Sequence, residues 1–116
     1  MSGFSPFYVG LAFILMHEMD AIRCREWRIF PGLSSLNDRA GFAIFLWAHV
    51  LLYIALFVFL GIEKYRDGTI YGMSIFFVIH LLAHLLFLKH PRNEFKDVHS
   101  WLLIIGAALA GAWQLM

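Results

Sequence analysis

The sequence predicts an all-α integral membrane protein, a four-helix bundle with up-down topology that forms a single domain over residues 1–116. Hydrophobic residues make up 61% of the chain and the mean hydropathy is +0.73, which is more apolar surface than a soluble chain of this size could bury. Four apolar runs each approach the ~20 residues that cross a bilayer core as a helix. These runs lack the two-residue alternation of barrel strands, so helices are favoured.

The four apolar runs and the breaks between them predict the elements in order. The first linker, 23–40, contains the breaker Pro31-Gly32 and a Ser/Asn/Asp cluster that can cap the second helix. The second linker, 63–68, is expected to be a short polar turn, and Pro91 in the third linker should end the third helix. Short linkers favour antiparallel neighbours. The expected helices cover about 4–22, 41–62, 69–88 and 98–116.

The charges predict the orientation of the bundle. Two cations, Lys64 and Arg66, lie on the side of the second linker, whereas the first and third linkers share seven: Arg23, Arg25, Arg28, Arg39, Lys89, Arg92 and Lys96. Positive charge collects on the cytoplasmic side of membrane proteins, so both termini should lie outside the cytoplasm, most simply of a bacterial inner membrane. The net charge of +1 gives no basic field for nucleic acid.

Ionisable residues collect in the cytoplasmic half of the predicted helices. At a rise of ~1.5 Å per residue, the four deepest histidines and Asp20 lie within roughly 12 Å of the cytoplasmic ends. His80 and His84 are four residues apart and share one helix face, and His17 and Asp20 share a face of the first helix. His49 lies on the second helix. Intramembrane ionisable groups are costly and require partners, so these residues are candidates for one site.

Imidazole is a good ligand for zinc and iron. His49, His80 and His84 are therefore predicted to bind Zn or Fe, with His17 as a further ligand. His17 and Asp20 are also the candidates for catalytic acid and base. An alternative uses five histidines (the four above and His99) together with Asp20, Glu18 and Glu26 to hold two irons. Because the site lies at the level of the lipid headgroups and upper acyl carbons, its substrate should be a membrane lipid or another apolar molecule.

The segment around His17 resembles small bacterial membrane proteins of the HXXEE type. These carry an intramembrane histidine, two intervening residues and acids, then an aromatic linker with Pro-Gly. The matching residues here are His17, Asp20 and the segment Trp27-Arg28-Ile29-Phe30-Pro31-Gly32, and the later His80 and His84 are also similar. Ala21 follows Asp20 where a second acid is expected, and Glu26 is the candidate replacement. The resemblance implies a membrane-bound enzyme.

Two other functions fit the same residues. The chain would be a small accessory subunit of a larger respiratory or photosynthetic complex if its histidines ligate haem or chlorophyll, or if they only join helices through hydrogen bonds. It would be a proton-relay or transporter element if the buried histidines and Asp20 carry protons. Four short helices leave little room for transport unless the protein forms a homo-oligomer.

Overall fold

The computed structural model describes residues 5–116 and confirms the all-α prediction with four helices. A short 3-10 helix, Glu26–Arg28, lies in the first linker. Residue 4, where the first helix was expected to begin, lies outside the described residues. The four α-helices are α1 (Pro6–Arg23), α2 (Asp38–Gly61), α3 (Glu63–Leu86) and α4 (Val98–Leu115).

The helix beginnings follow from local chemistry. Helix α1 starts at Pro6, whose fixed φ and missing N–H suit the first helical position. The side chain of Asn37 accepts a hydrogen bond from the backbone N–H of Ala40 at 2.9 Å and caps α2. Asp97 caps α4 by accepting from the N–H of His99. The predicted polar cap of the second helix is therefore present at Asn37.

The predicted turn at 63–68 is helical, so that boundary was wrong. Helix α3 begins at Glu63, and Ile62 alone, at φ −94° and ψ 115°, separates it from α2. Arg66 explains how so tight a connection is tolerated, because its Nε donates to the carbonyl of Leu60 at 2.7 Å. That bond satisfies one of the carbonyls left without an intrahelical partner at the end of α2.

Three of the helices, α2, α3 and α4, are long and apolar enough to cross a membrane. Helix α1 is as long as α4 but carries Glu18, Asp20 and Arg23 within its 18 residues. Large apolar side chains remain exposed on the outer faces of the bundle, including Trp47 and Leu51 on α2. Such surfaces are typical of proteins that lipid surrounds.

The packing order places α1 against α4, α4 against α3, and α3 against α2. Close approach of α3 and α4 depends on Gly111, where a Cβ would lie 2.6 Å from the backbone oxygen of Ser74. Phe7 and Phe77 stack in the core at one end of the bundle. At the other end, the first and third linkers cover a second core that includes Trp27 and Phe95. The candidate site lies at this second end.

Candidate metal centre

Three buried histidines from two helices form the centre of the site. His80 and His84 occupy one face of α3, and their ring centroids lie 4.5 Å apart. His17 projects from α1 toward both, with its ring centroid 4.5 Å from that of His80 and 4.9 Å from that of His84. The structure therefore brings together three of the four predicted metal ligands.

Glu26 completes the group from the first linker. One ligand atom from each of His17, Glu26, His80 and His84 lies within 4.8 Å of those of the other three, close enough to hold a metal ion. Glu26 Oε1 is 3.7 Å from His84 Nε2. We call these four residues the metal group. Three imidazoles and one carboxylate form a donor set that suits zinc or iron.

The backbone before Glu26 turns the carboxylate inward. Arg25 adopts a left-handed conformation, at φ 52° and ψ 54°, directly before the 3-10 helix. Trp27, which follows Glu26 in the chain, fixes the linker on α2. Its Nε1 donates to Asp38 at 3.1 Å, and its ring packs against Gly41. The left-handed residue changes the chain direction after the end of α1, and the Trp27 contacts hold the linker against α2. Glu26, which lies between them, therefore points toward the histidines.

The metal group contains buried nitrogen atoms that lack hydrogen-bond partners. Both ring nitrogens of His17 and both of His80 are buried and unpaired among residues 5–116. Leaving buried polar atoms unpaired costs free energy. Burial raises the pKa of Glu26 to about 8, and nearby Glu18 adds to the effect. A bound cation would compensate both the unused lone pairs and the buried carboxylate, so these residues fit a metal ion.

Phe95 covers the metal group at the linker end. Its side chain is fully buried, and its ring centroid lies 5.4 Å from His17 and 4.6 Å from His84. The third linker holds it there, since the backbone N–H of Phe95 donates to the side chain of Asn93 and its carbonyl accepts from Trp101 Nε1. This aromatic cover separates the histidines from the solvent at that end.

On its other side the metal group borders a cavity of about 680 Å³. The walls come mainly from α2, α3 and the first linker, with Glu18 from α1, and they are mostly apolar. The metal group contributes Glu26, His80 and His84 to the lining. The other lining residues are Glu18, Ile29, Phe30, Pro31, Gly32, Leu33, Ile44, Phe45, Ala48, His49, Leu52, Phe76, Ile79, Ala83 and Phe87.

His49, also a predicted metal ligand, lies on the cavity wall outside the metal group. Its Nε2 lies 2.8 Å from Oε2 of Glu18, and its Nδ1 lies 2.7 Å from the carbonyl oxygen of Phe45. A carbonyl can only accept, so Nδ1 carries a proton and Nε2 faces the carboxylate. The Glu18 carboxylate and His49 Nε2 are therefore adjacent, within the distance over which an acid and a base can exchange a proton.

Asp20, the other predicted catalytic residue, faces α4. Its carboxylate accepts hydrogen bonds from Arg23 Nε at 2.7 Å and from the hydroxyl of Ser100. Arg23 also donates to Ser100 at 3.1 Å. These bonds join the end of α1 to the beginning of α4. The structure thus gives the two acids of α1 different surroundings: Asp20 joins two helices, and Glu18 faces the cavity.

The ligand that helix spacing did not select is Glu26. The sequence suggested Glu26 only as a ligand of a two-iron site, or as a replacement for the second acid that the HXXEE-type resemblance expects at the position of Ala21. Its position depends on the left-handed Arg25, which no apolar period indicates. The sequence signal that could have identified Glu26 is its residue type and place: it is an acid beside Trp27, in the linker that directly follows the helix carrying His17.

Comparison with known families covers nearly the whole chain. A family model described as a family of unknown function, DUF6713, matches residues 4–116. The chain belongs to the DUF6713 family. No curated protein and no solved structure matches the chain. Membership in DUF6713 assigns no activity, so the chemistry of this member must be argued from the metal group and the cavity.

Proposed function

We propose that this DUF6713 member is a metal-dependent membrane enzyme that acts on a lipid-like substrate at the cytoplasmic leaflet. One observation carries the proposal: three buried imidazoles and one carboxylate converge within 4.8 Å beside a mostly apolar cavity, and two of the imidazoles, those of His17 and His80, have ring nitrogens that are unpaired among residues 5–116. Buried ionisable groups that converge on a cavity are a common sign of a functional site.

The ion would be zinc or iron. His17, Glu26, His80 and His84 would hold it, and the cavity would give a substrate access to it. An ion in this position supplies a Lewis acid that polarises a substrate oxygen or activates water, which fits a hydrolase, while iron would add redox chemistry. Imidazole centroids 4.5–4.9 Å apart leave no room for a macrocycle between them, which favours an ion over haem or chlorophyll.

Glu18 and His49 are the acid and base in this proposal. The pair lies on the wall of the cavity to which the metal group contributes, and its two side chains are 2.8 Å apart, within reach of proton transfer to or from a bound substrate. Asp20, by contrast, uses its carboxylate to hold Arg23 and Ser100. His17 belongs to the ligand set in this scheme, so neither residue of the sequence-predicted acid/base pair is needed for proton transfer.

The proposal includes the membrane arrangement expected from the sequence. All four helices cross the bilayer in up-down order, with the first and third linkers in the cytoplasm and the termini outside, as in a bacterial inner-membrane protein. The seven cations of the two linkers support this orientation. In that frame, Glu26 and Phe95 approach the metal group from the cytoplasmic side, and the cavity opens at the depth of the lipid headgroups and upper acyl carbons.

Elemental analysis of detergent-purified protein tests the proposal. The wild type should retain about one Zn or Fe per chain, and His80→Ala should lose it because a buried ligand is gone. His99→Ala is the matched control, since exposed His99 lies outside the metal group, and it should bind metal as the wild type does. A wild-type protein that stays metal-free after incubation with Zn²⁺ and Fe²⁺ would overturn the proposal.

A further inference from the structure

Within the part of the chain that the structure describes, the cavity walls contain acids and histidines but no lysine or arginine with which to bind an anion. Among the described residues that line the cavity, Glu18 and Glu26 are the only Asp, Glu, Lys or Arg side chains. Glu26 belongs to the metal group and Glu18 faces His49. Apart from the metal ion itself, neither an anionic nor a cationic headgroup therefore has an uncommitted side-chain partner in the cavity. An unpaired charge is costly in an apolar cavity.

An arginine of the first linker that lies close to Glu26 in the chain is engaged elsewhere. Arg28 follows Glu26 by two residues, but its guanidinium makes two hydrogen bonds to the carboxylate of Asp38. It also lies 3.6 Å from Glu94. Bidentate pairing of this kind occupies the donors with which arginine would bind a phosphate. Arg28 therefore ties the linker to α2 and to the third linker.

The rim of the cavity is apolar and exposed. Ile44 and Leu52 contribute to it from α2, and Phe76 and Ile79 contribute from α3; each is more than 40% exposed. Both helices are apolar enough to cross a membrane. If α2 and α3 span the bilayer, the opening between them faces hydrocarbon. A molecule dissolved in the bilayer would reach the metal group without passing through water.

We infer that the substrate is an uncharged lipid with a long hydrocarbon chain, which enters the cavity from the bilayer between α2 and α3. Its neutral polar end, such as an ester, amide or alcohol, lies toward His80 and His84, and its chain lies along the apolar walls. The volume of about 680 Å³ is within the ~300–1,000 Å³ that ligand pockets typically offer. This inference rests on the proposed function, since it names the substrate class of that site.

Photo-crosslinking in lipid nanodiscs tests this inference. Three hexadecyl probes would carry the same mid-chain diazirine and differ only in the terminal group: a methyl ester, a phosphate or a trimethylammonium. Mass spectrometry gives the labelling of cavity residues relative to the labelling of Leu51, which is exposed on α2 outside the cavity. This ratio should be at least about tenfold higher for the methyl ester, because the lining offers no free charged side chain to either charged group and burying a charge without such a partner costs more than the ~1.4 kcal/mol of one tenfold step.

Two alanines of α2 provide matched variants. Ala48 lines the cavity and Ala55 does not, although both are exposed on the same helix. Ala48→Phe should fill the opening and abolish the preference for cavity labelling, whereas Ala55→Phe should leave it unchanged. Equal labelling by the three probes, a preference for either charged probe, or an unaffected Ala48→Phe variant would overturn the inference.

The metal content of the same samples separates the two proposals. Labelling reports binding of the hydrocarbon chain whether or not an ion is present, and elemental analysis reports the ion alone. Selective labelling of a metal-free protein would support an uncharged ligand and overturn the metal enzyme. A metal-loaded protein without selective labelling would retain the metal centre and overturn the uncharged substrate.

Discussion

His49 Nε2 lies 2.8 Å from Oε2 of Glu18, and this pairing separates His49 from the metal group. The two ring nitrogens of His49 already face partners, namely Glu18 and the carbonyl of Phe45. The ring nitrogens of His80, by contrast, are buried without partners among residues 5–116. Two histidines of similar predicted depth thus have different surroundings, and their substitutions should have different consequences.

The first prediction concerns metal content after substitution of these two histidines. His49→Gln should retain the wild-type amount of metal, because the four metal-group residues stay in place. His80→Gln should lose most of it, because a buried nitrogen donor is removed. Inductively coupled plasma mass spectrometry of purified variants measures both. If both variants lost the same amount of metal, His49 would also be a ligand, and the four residues of the metal group would not be the complete ligand set.

The second prediction concerns the carboxylate of the metal group. Glu26→Gln should weaken metal affinity at least about tenfold, because even residues that only support metal ligands typically contribute 10- to 100-fold. Glu94→Gln is the control, since Glu94 is an exposed acid of the third linker outside the metal group. Competition with a chromophoric chelator measures both affinities. An unchanged affinity in Glu26→Gln would remove Glu26 from the ligand set.

How far the sequence predicts this site depends on the residue. The four-residue spacing of His80 and His84 places both on one face of a helix, and the structure shows them together with His17. Helix period carries no information about Glu26, whose position requires a left-handed residue and a 3-10 turn after α1 has ended. It also cannot identify the partner of Asp20, because Ser100 lies 80 residues away in the chain.

The prediction of helix boundaries from apolar run length was limited in the same way, because tertiary contacts of polar side chains are not visible in the sequence. The polar segment 63–68 was expected to be a turn because its charges interrupt an apolar run. The structure keeps it helical, since charged residues can occupy a helix wherever their side chains find partners, as Arg66 does at the carbonyl of Leu60. Apolar run length therefore predicts the part of a helix that lipid can surround, and the helix itself extends further.

The third prediction concerns the contact that holds the first linker on α2. A Cβ on Gly41 would lie 2.4 Å from Cδ1 of Trp27, so Gly41→Ala should displace the indole and the adjacent Glu26. Overpacking of this kind typically costs about 1–3 kcal/mol in the free energy of unfolding, and metal affinity should fall as well. Thermal unfolding in detergent and chelator competition measure the two effects.

Gly72 supplies the control for that substitution. It lies within α3, and a Cβ there meets no atom within 4 Å. Gly72→Ala should therefore leave metal affinity unchanged and should not lower stability, because alanine favours a helix more than glycine does. If Gly41→Ala behaved in the same way as Gly72→Ala, the contact between Trp27 and α2 would not be what positions Glu26.

The fourth prediction separates the structural acid of α1 from the metal group. Asp20→Ala removes the acceptor of the buried Ser100 hydroxyl, and an unsatisfied buried group typically costs about 1–3 kcal/mol in the free energy of unfolding. The variant should unfold at a lower temperature yet retain the wild-type amount of metal, because no atom of Asp20 belongs to the metal group. Ser100→Ala combined with Asp20→Ala should recover part of the loss, since the unpaired hydroxyl is then absent. If Asp20→Ala lost its metal while its unfolding temperature stayed unchanged, Asp20 would be a ligand, as the sequence alone had allowed.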